Sequence, residues 1–122
     1  MYVVGGRDDI SNTVYNGCWK STDGNNWSPT NSAPPFSIRY GHTMSVIPNS
    51  NTIVITGGYN GVNSPDKFFN DCWTSFDYTT TWKISTSTAN WGGRYFHAAV
   101  VIAVSASQYS LIIMGGRQGF GN

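Results

Sequence analysis

The chain has 122 residues, enough for one ordinary domain, with a net charge of +1 and only 11% charged residues. It lacks the basic patch that would neutralise a run of phosphates, which argues against nucleic acid as a partner. No apolar stretch approaches the ~18 residues that span a bilayer as a helix. Glutamate is absent, Leu111 is the sole leucine, and 14 glycines and 15% aromatics accompany abundant Ser, Thr and Asn. A chain so poor in helix formers and so rich in β-branched and aromatic residues is expected to be all-β.

Taken in order, the chain opens on an apolar run, Tyr2-Val3-Val4, closed by Gly5-Gly6. With a strand predicted at residue 2, no signal peptide is expected within this sequence. A polar loop over 7–16 leads to Gly17-Cys18-Trp19-Lys20-Ser21-Thr22-Asp23, a strand entering a turn centred on Gly24-Asn25, with Trp27 on the returning strand. A Pro-containing loop over 29–38 precedes Arg39-Tyr40-Gly41-His42 and a strand over 43–47. A turn over 48–51 then delivers the chain into Thr52–Thr56 and Gly57-Gly58. The same order returns. A loop over 59–70 is followed by Asp71-Cys72-Trp73-Thr74-Ser75-Phe76-Asp77, then Trp82, Trp91 where Phe36 fell, Arg94-Tyr95-Phe96-His97, a strand over 98–104, and Leu111–Met114 closed by Gly115-Gly116. The glycine pairs recur after 52 and 58 residues, and Trp27, Arg39 and His42 each recur after 55. A period near 50 indicates repeated units of four short antiparallel strands.

This pattern resembles the kelch repeat, in the secreted-type variant with a consensus near N-D-V-W-x-S-x-D-G-x-x-W followed by R-Y-G-H. The segment Ser21–Trp27 is also similar to the Asp-box hairpin of sialidase-type propellers, though one residue short of it. The kelch resemblance implies an all-β fold of kelch-like β-propeller blades, each of four antiparallel strands a-b-c-d. About two and a half blades would lie in this chain: a partial blade b-c-d over 1–30, a complete blade over 39–86 and a partial blade a-b over 94–122. Such a number cannot close a ring, so the chain is expected to be a segment of a larger propeller or of a multi-chain assembly. Its partners would then be further kelch blades of the same protein or other copies of the chain.

Recurrence separates scaffold from chemistry. A catalytic or metal-binding group is needed once, whereas a residue that returns in each unit serves the unit. Gly5, Gly6, Gly57, Gly58, Gly115, Gly116, Trp19, Trp73, Trp27, Trp82, Arg39, Arg94, His42 and His97 are therefore read as structural repeat positions. The arginines are expected to meet carbonyls or a carboxylate between units, with Asp23 and Asp77 as candidate partners. Cys18 and Cys72 hold equivalent places on sheets ~10 Å apart, beyond the ~7 Å between Cα atoms that a disulfide spans. No disulfide between them is expected. Kelch propellers include copper oxidases of the galactose oxidase type, but none of their site residues can be carried over, and no catalytic residue, metal ligand or cofactor is assigned.

What remains is surface. Asn26-Trp27-Ser28 is an N-glycosylation sequon in a predicted turn. The loops place Tyr59, Phe68, Phe69, Phe36 and Trp91 as possible binding-face aromatics suited to sugars or peptides. The expected role is a non-enzymatic, extracellular or cell-surface binding or structural propeller module for protein or glycan interactions. The alternatives are a subunit of an extracellular filament or surface coat, and the scaffold part of a carbohydrate-active oxidase whose catalytic residues lie elsewhere.

Overall fold

The computed structural model describes residues 1–61 and 67–118. Parts of the predicted loop over 59–70 and of the segment over 94–122 therefore lie outside the described residues. The described residues form strands joined by turns and loops, without helix. Strands β1 (Tyr2–Asp8), β2 (Thr13–Lys20) and β3 (Ser28–Asn31) make one antiparallel sheet in sequence order. Strands β4 (Thr43–Val46), β5 (Ile53–Thr56), β6 (Cys72–Ser75) and β7 (Lys83–Thr86) make a four-stranded meander. Strand β8 (Arg94–Tyr95) pairs with β11 (Arg117–Gln118), and β9 (Ala98–Ala103) with β10 (Tyr109–Met114).

Local chemistry sets the turns. After β2, the Asp23 carboxylate accepts the N–H groups of Asn25 at 2.9 Å and Asn26 at 2.8 Å, while Ser21 Oγ accepts that of Gly24 at 2.8 Å. After β6, Asp77 and Ser75 do the same for Thr81 and Thr79, each at 2.8 Å. A short polar side chain that replaces the lost ladder bonds is the reason such residues terminate strands. Gly5 and Gly6 correct the expected strand end. Their φ of 58° and 117° form a bulge between Val4 and Gly6, and β1 continues through them to Asp8. Much of the predicted loop over 7–16 is thus strand.

The main core lies between the first two sheets. Val4 and Cys18 meet Ile53, Ile55, Phe36 and Trp82, with Tyr2 and Trp73 packed against them. Phe36 anchors it by edge contacts to Trp82 at 5.1 Å and Trp73 at 5.9 Å between ring centres. On the other side of the meander, β4 lies against β9.

The recurring segments act as ties from one sheet to the next. Arg39 accepts the Gly6 N–H at 3.0 Å and donates its own N–H to Tyr15 at 3.1 Å. Arg94 accepts from Gly58 at 2.8 Å and donates to Phe69 at 3.1 Å. The glycines admit this crossing: a Cβ on Gly57 would lie 2.7 Å from the Arg94 carbonyl oxygen. The arrangement nevertheless corrects the expected architecture. The described residues form four small separate sheets, none of which closes into a barrel or a propeller. The repeated residues encode how one sheet is crossed by the next segment, and this local contact carries no instruction for a radial ring. The kelch-like blade system, and with it the propeller module, the filament of stacked propeller repeats and the oxidase scaffold, is not what the chain folds into.

Candidate functional site

Two arginines with the same sequence context have different surroundings. Arg39 is fully buried and grips Asp71 in a fork, Nη1 to Oδ1 at 2.7 Å and Nη2 to Oδ2 at 2.9 Å. It also donates to the carbonyls of Gly57 at 2.9 Å and Ser37 at 3.2 Å, and its guanidinium lies 4.1 Å from the centre of the Phe69 ring. Its acidic partner is therefore Asp71; Asp23 and Asp77 are committed to their turns. Trp73 Nε1 donates to the same Asp71 carboxylate at 2.8 Å. Arg94 repeats the carbonyl contacts, to Gly92 at 3.2 Å and Gly115 at 3.0 Å, without a carboxylate partner among the described residues.

The histidines are internal. His97 Nε2 is shared between the hydroxyls of Thr43 at 3.1 Å and Thr56 at 3.0 Å. Burial and the charge of Arg39 push the His42 imidazole down to about 4, and burial with Arg94 lowers that of His97. Both rings stay neutral at ordinary pH. Cys18 is buried and Cys72 half-buried, both as free thiols. Burial pushes the Cys18 thiol up to about 11 and raises that of Cys72. Among the described residues, no three His, Cys, Asp or Glu side chains are grouped to hold a metal ion.

The aromatics expected on a binding face divide. Phe36, Tyr59 and Phe69 are buried, with Phe68 and Trp91 half-buried. Tyr59 bridges the backbone of Tyr40 and of Phe68, and its ring stacks on Phe68 at 4.6 Å. Trp73 is half-buried and Trp82 buried, whereas Trp19 and Trp27 are exposed. Asn26 is exposed, and its side-chain amide donates to Asp23 at 2.8 Å.

An open concavity among the described residues lies elsewhere. A cleft of about 500 Å³ is lined by Gly6, Arg7, Asp9, Tyr40, Gly41, Tyr95 and Phe96. Arg7 reaches it because the Gly5-Gly6 bulge lets β1 continue. Its guanidinium lies 5.2 Å from the centre of the Tyr40 ring, donates to the Tyr40 hydroxyl at 3.2 Å and pairs with Asp9 at 3.4 Å. Tyr40, Tyr95 and Phe96 form a cluster of ring pairs 4.8–6.1 Å apart. Phe96 is 68% exposed and held at φ 53°, with its N–H donated to the Gly41 carbonyl at 2.7 Å. Gly41, its counterpart in the earlier unit, has φ 63°. A bulky residue in this left-handed conformation is an outlier. The sequence carried the signal, since R-Y-G-H and R-Y-F-H differ at this one position. Arg7, Asp9, Tyr40 and Tyr95 gave no such sign, because the strand continuing past the glycines is what assembles them.

Comparison with known proteins yields no match, either to a family model or to a curated sequence. The kelch assignment is therefore unsupported by sequence comparison as well as by the sheet arrangement.

Proposed function

We propose that this all-β domain is a non-catalytic binding domain, whose Arg7–Tyr40–Phe96 cleft takes a small ligand with a planar or apolar ring face and an anionic group. The observation that carries the reading is Phe96. Its backbone sits where glycine is usual, its ring is mostly in solvent, and it flanks a guanidinium already laid over Tyr40. Strain of this kind, of order 1–3 kcal/mol, persists where the surroundings enforce it, and such residues cluster at ligand sites. The rings supply stacking surface and Arg7 supplies two-pronged hydrogen bonding to a carboxylate. Asp9 competes for Arg7 and selects for ligands able to displace it.

The setting we propose is extracellular, from the low charge, the Ser/Thr/Asn content and the exposed Asn26 sequon; expression through a secretory pathway tests it by the mass of a glycan at Asn26. No helix among the described residues is long and apolar enough to cross a membrane.

The test of the cleft is NMR titration with 4-hydroxybenzoate and, as a non-aromatic control ring, glucuronate. Saturable shifts confined to Arg7, Tyr40, Tyr95 and Phe96 are expected, lost in Phe96→Gly and in Arg7→Gln. Absence of saturable shifts with both probes at millimolar concentration would overturn the reading.

A further inference from the structure

The lining of the cleft carries two charged side chains, Arg7 and Asp9, of opposite sign. Both come from the β1–β2 hairpin, Arg7 from the end of β1 and Asp9 from the turn that follows it. They are held very differently. The Arg7 guanidinium is laid over the Tyr40 ring at 5.2 Å, and its Nη1 donates to the Tyr40 hydroxyl at 3.2 Å. The Asp9 side chain is 91% exposed and meets Arg7 Nε at 3.4 Å. The neighbouring Asp8 is occupied within the turn. Its Oδ1 accepts the Ile10 N–H at 2.9 Å and its Oδ2 the Ser11 hydroxyl at 2.6 Å. The cleft thus presents one anchored cation, one loosely held anion and the exposed Phe96 ring.

An exposed pair at this distance contributes little to the fold, so Asp9 gives up Arg7 readily. What it leaves behind decides which ligand gains most. A ligand that is only an anion takes the Arg7 edge facing Asp9, and then sits beside a displaced carboxylate of its own sign. A ligand with a carboxylate and an ammonium group on one carbon exchanges partners instead. Its carboxylate takes the guanidinium in charge-assisted bonds, and its ammonium group takes Asp9. One ion pair becomes two, and no charge is left facing its like.

We infer that the cleft takes a zwitterionic α-amino acid with an aromatic side chain, Arg7 holding its carboxylate, Asp9 its ammonium group and Phe96 its ring. This rests on the binding function proposed above, and it makes Asp9, which there competes for Arg7, the residue that sets specificity. Discrimination of this kind works by repulsion as well as attraction: Asp9 disfavours a carboxylate that arrives without a cation. Peptides are disfavoured too, because an internal residue carries neither charge on its backbone and a chain terminus carries one of the two.

Three ligands with a common phenylethyl skeleton separate the contributions. L-phenylalanine has both charges, 3-phenylpropanoate lacks the ammonium group, and phenethylamine lacks the carboxylate. Each is titrated into the intact, isotope-labelled chain, and the NMR shifts of Arg7, Tyr40 and Phe96 are followed. Phenylalanine is expected to bind roughly fivefold more tightly than either analogue, the upper end of what an exposed ion pair contributes. Asp9→Asn should weaken phenylalanine by a similar factor and tighten 3-phenylpropanoate, opposite changes that a general loss of structure does not produce. Should that variant fail to fold, the ranking of the three ligands on the unaltered protein decides. If 4-hydroxybenzoate binds saturably but 3-phenylpropanoate equals or exceeds phenylalanine, the inference is overturned while the proposed binding function stands. The same holds if Asp9→Asn shifts both affinities in one direction. If none of the four ligands binds saturably, both are overturned.

Discussion

Replacing Asp71 by asparagine removes one charge and almost no volume, and it isolates the ion pair that ties the loop before β4 to the meander. Arg39 is 0% exposed, so its guanidinium would be left charged, dry and facing an amide whose NH₂ group is itself a donor. Breaking a buried pair from one side costs about 3–5 kcal/mol. Here the Gly57 and Ser37 carbonyls and the Phe69 ring still face the guanidinium, which places the expected loss near 3 kcal/mol. A chain of this length has a stability of roughly 6–18 kcal/mol at ~0.05–0.15 kcal/mol per residue, so the variant should fold. With a urea slope of ~1–3 kcal/mol per molar, its midpoint should fall by ~1–3 M. Tryptophan fluorescence is the natural probe, because Trp73 donates to the same carboxylate. Arg94→Lys, at a half-exposed site without a carboxylate partner, should cost no more than about 1 kcal/mol. The double variant Arg39→Met with Asp71→Leu removes the desolvation cost with the attraction but takes their partners from the Gly57 and Ser37 carbonyls and the Trp73 indole N–H, so it should recover only part of the loss. An Asp71→Asn midpoint within error of the parent, or a double variant as unstable as the sum of its single changes, would refute the reasoning.

Gly57→Ala should destabilise by roughly 2–5 kcal/mol, combining left-handed strain with contacts of 2.7 Å to the Arg94 carbonyl and 2.8 Å to His97. Gly115→Ala, at φ 68° with open space around its Cβ, should cost only the ~1–2 kcal/mol of strain; denaturant midpoints of the two variants check the contrast. With the His42 pKa depressed to about 4 against 6.5 in the unfolded chain, the unfolded state binds more protons between these values. Stability should therefore fall as pH drops from 6.5 toward 4, the lowered His97 adding in the same sense, and His42→Gln should flatten that limb in urea melts across pH. The depressed carboxylates of Asp23 and Asp77 act in a separate window, their contribution being lost as pH falls below the ordinary 3.8. Cys18, at about 11, should resist iodoacetamide at pH 8 in the folded protein and react fully in urea, with mass spectrometry as the readout.

The all-β class, the turn aspartates and the correspondence between the two arginine segments were legible in residue types and spacing, because each depends on interactions a few residues long or on recurrence. The ring was not. Gly57 and Arg94 specify that a backbone crosses close to a strand end, and that contact satisfies the sequence pattern whether or not the sheets close around an axis. The pairing of Arg39 with Asp71 was hidden by a plausible rival: Asp23 and Asp77 recur and Asp71 does not, its counterpart being Gly17. Recurrence pointed to the arginine segments and, by the same rule, passed over the single carboxylate that completes one of them. The cleft escaped notice for a related reason. Gly5-Gly6 reads as a stop, yet as a bulge it carries β1 onward and brings Arg7 to Tyr40.

Two equivalent frameworks thus differ by one group at each of two places. At the R-Y-x-H segments the left-handed position is Gly41 in one unit, where a Cβ would lie 3.1 Å from the Phe96 ring, and Phe96 in the other. The glycine leaves room for the ring that its counterpart presents, so neither residue could take the other's place and keep the cleft. At the two arginines, Asp71 completes the surroundings of Arg39, while Arg94 holds the equivalent carbonyls without a carboxylate among the described residues. A filled fork is an internal strut, whose removal destabilises the domain. The prediction that separates the two arginines is that a change at Arg39 lowers the melting point by several degrees, whereas one at the half-exposed Arg94 leaves it nearly unchanged.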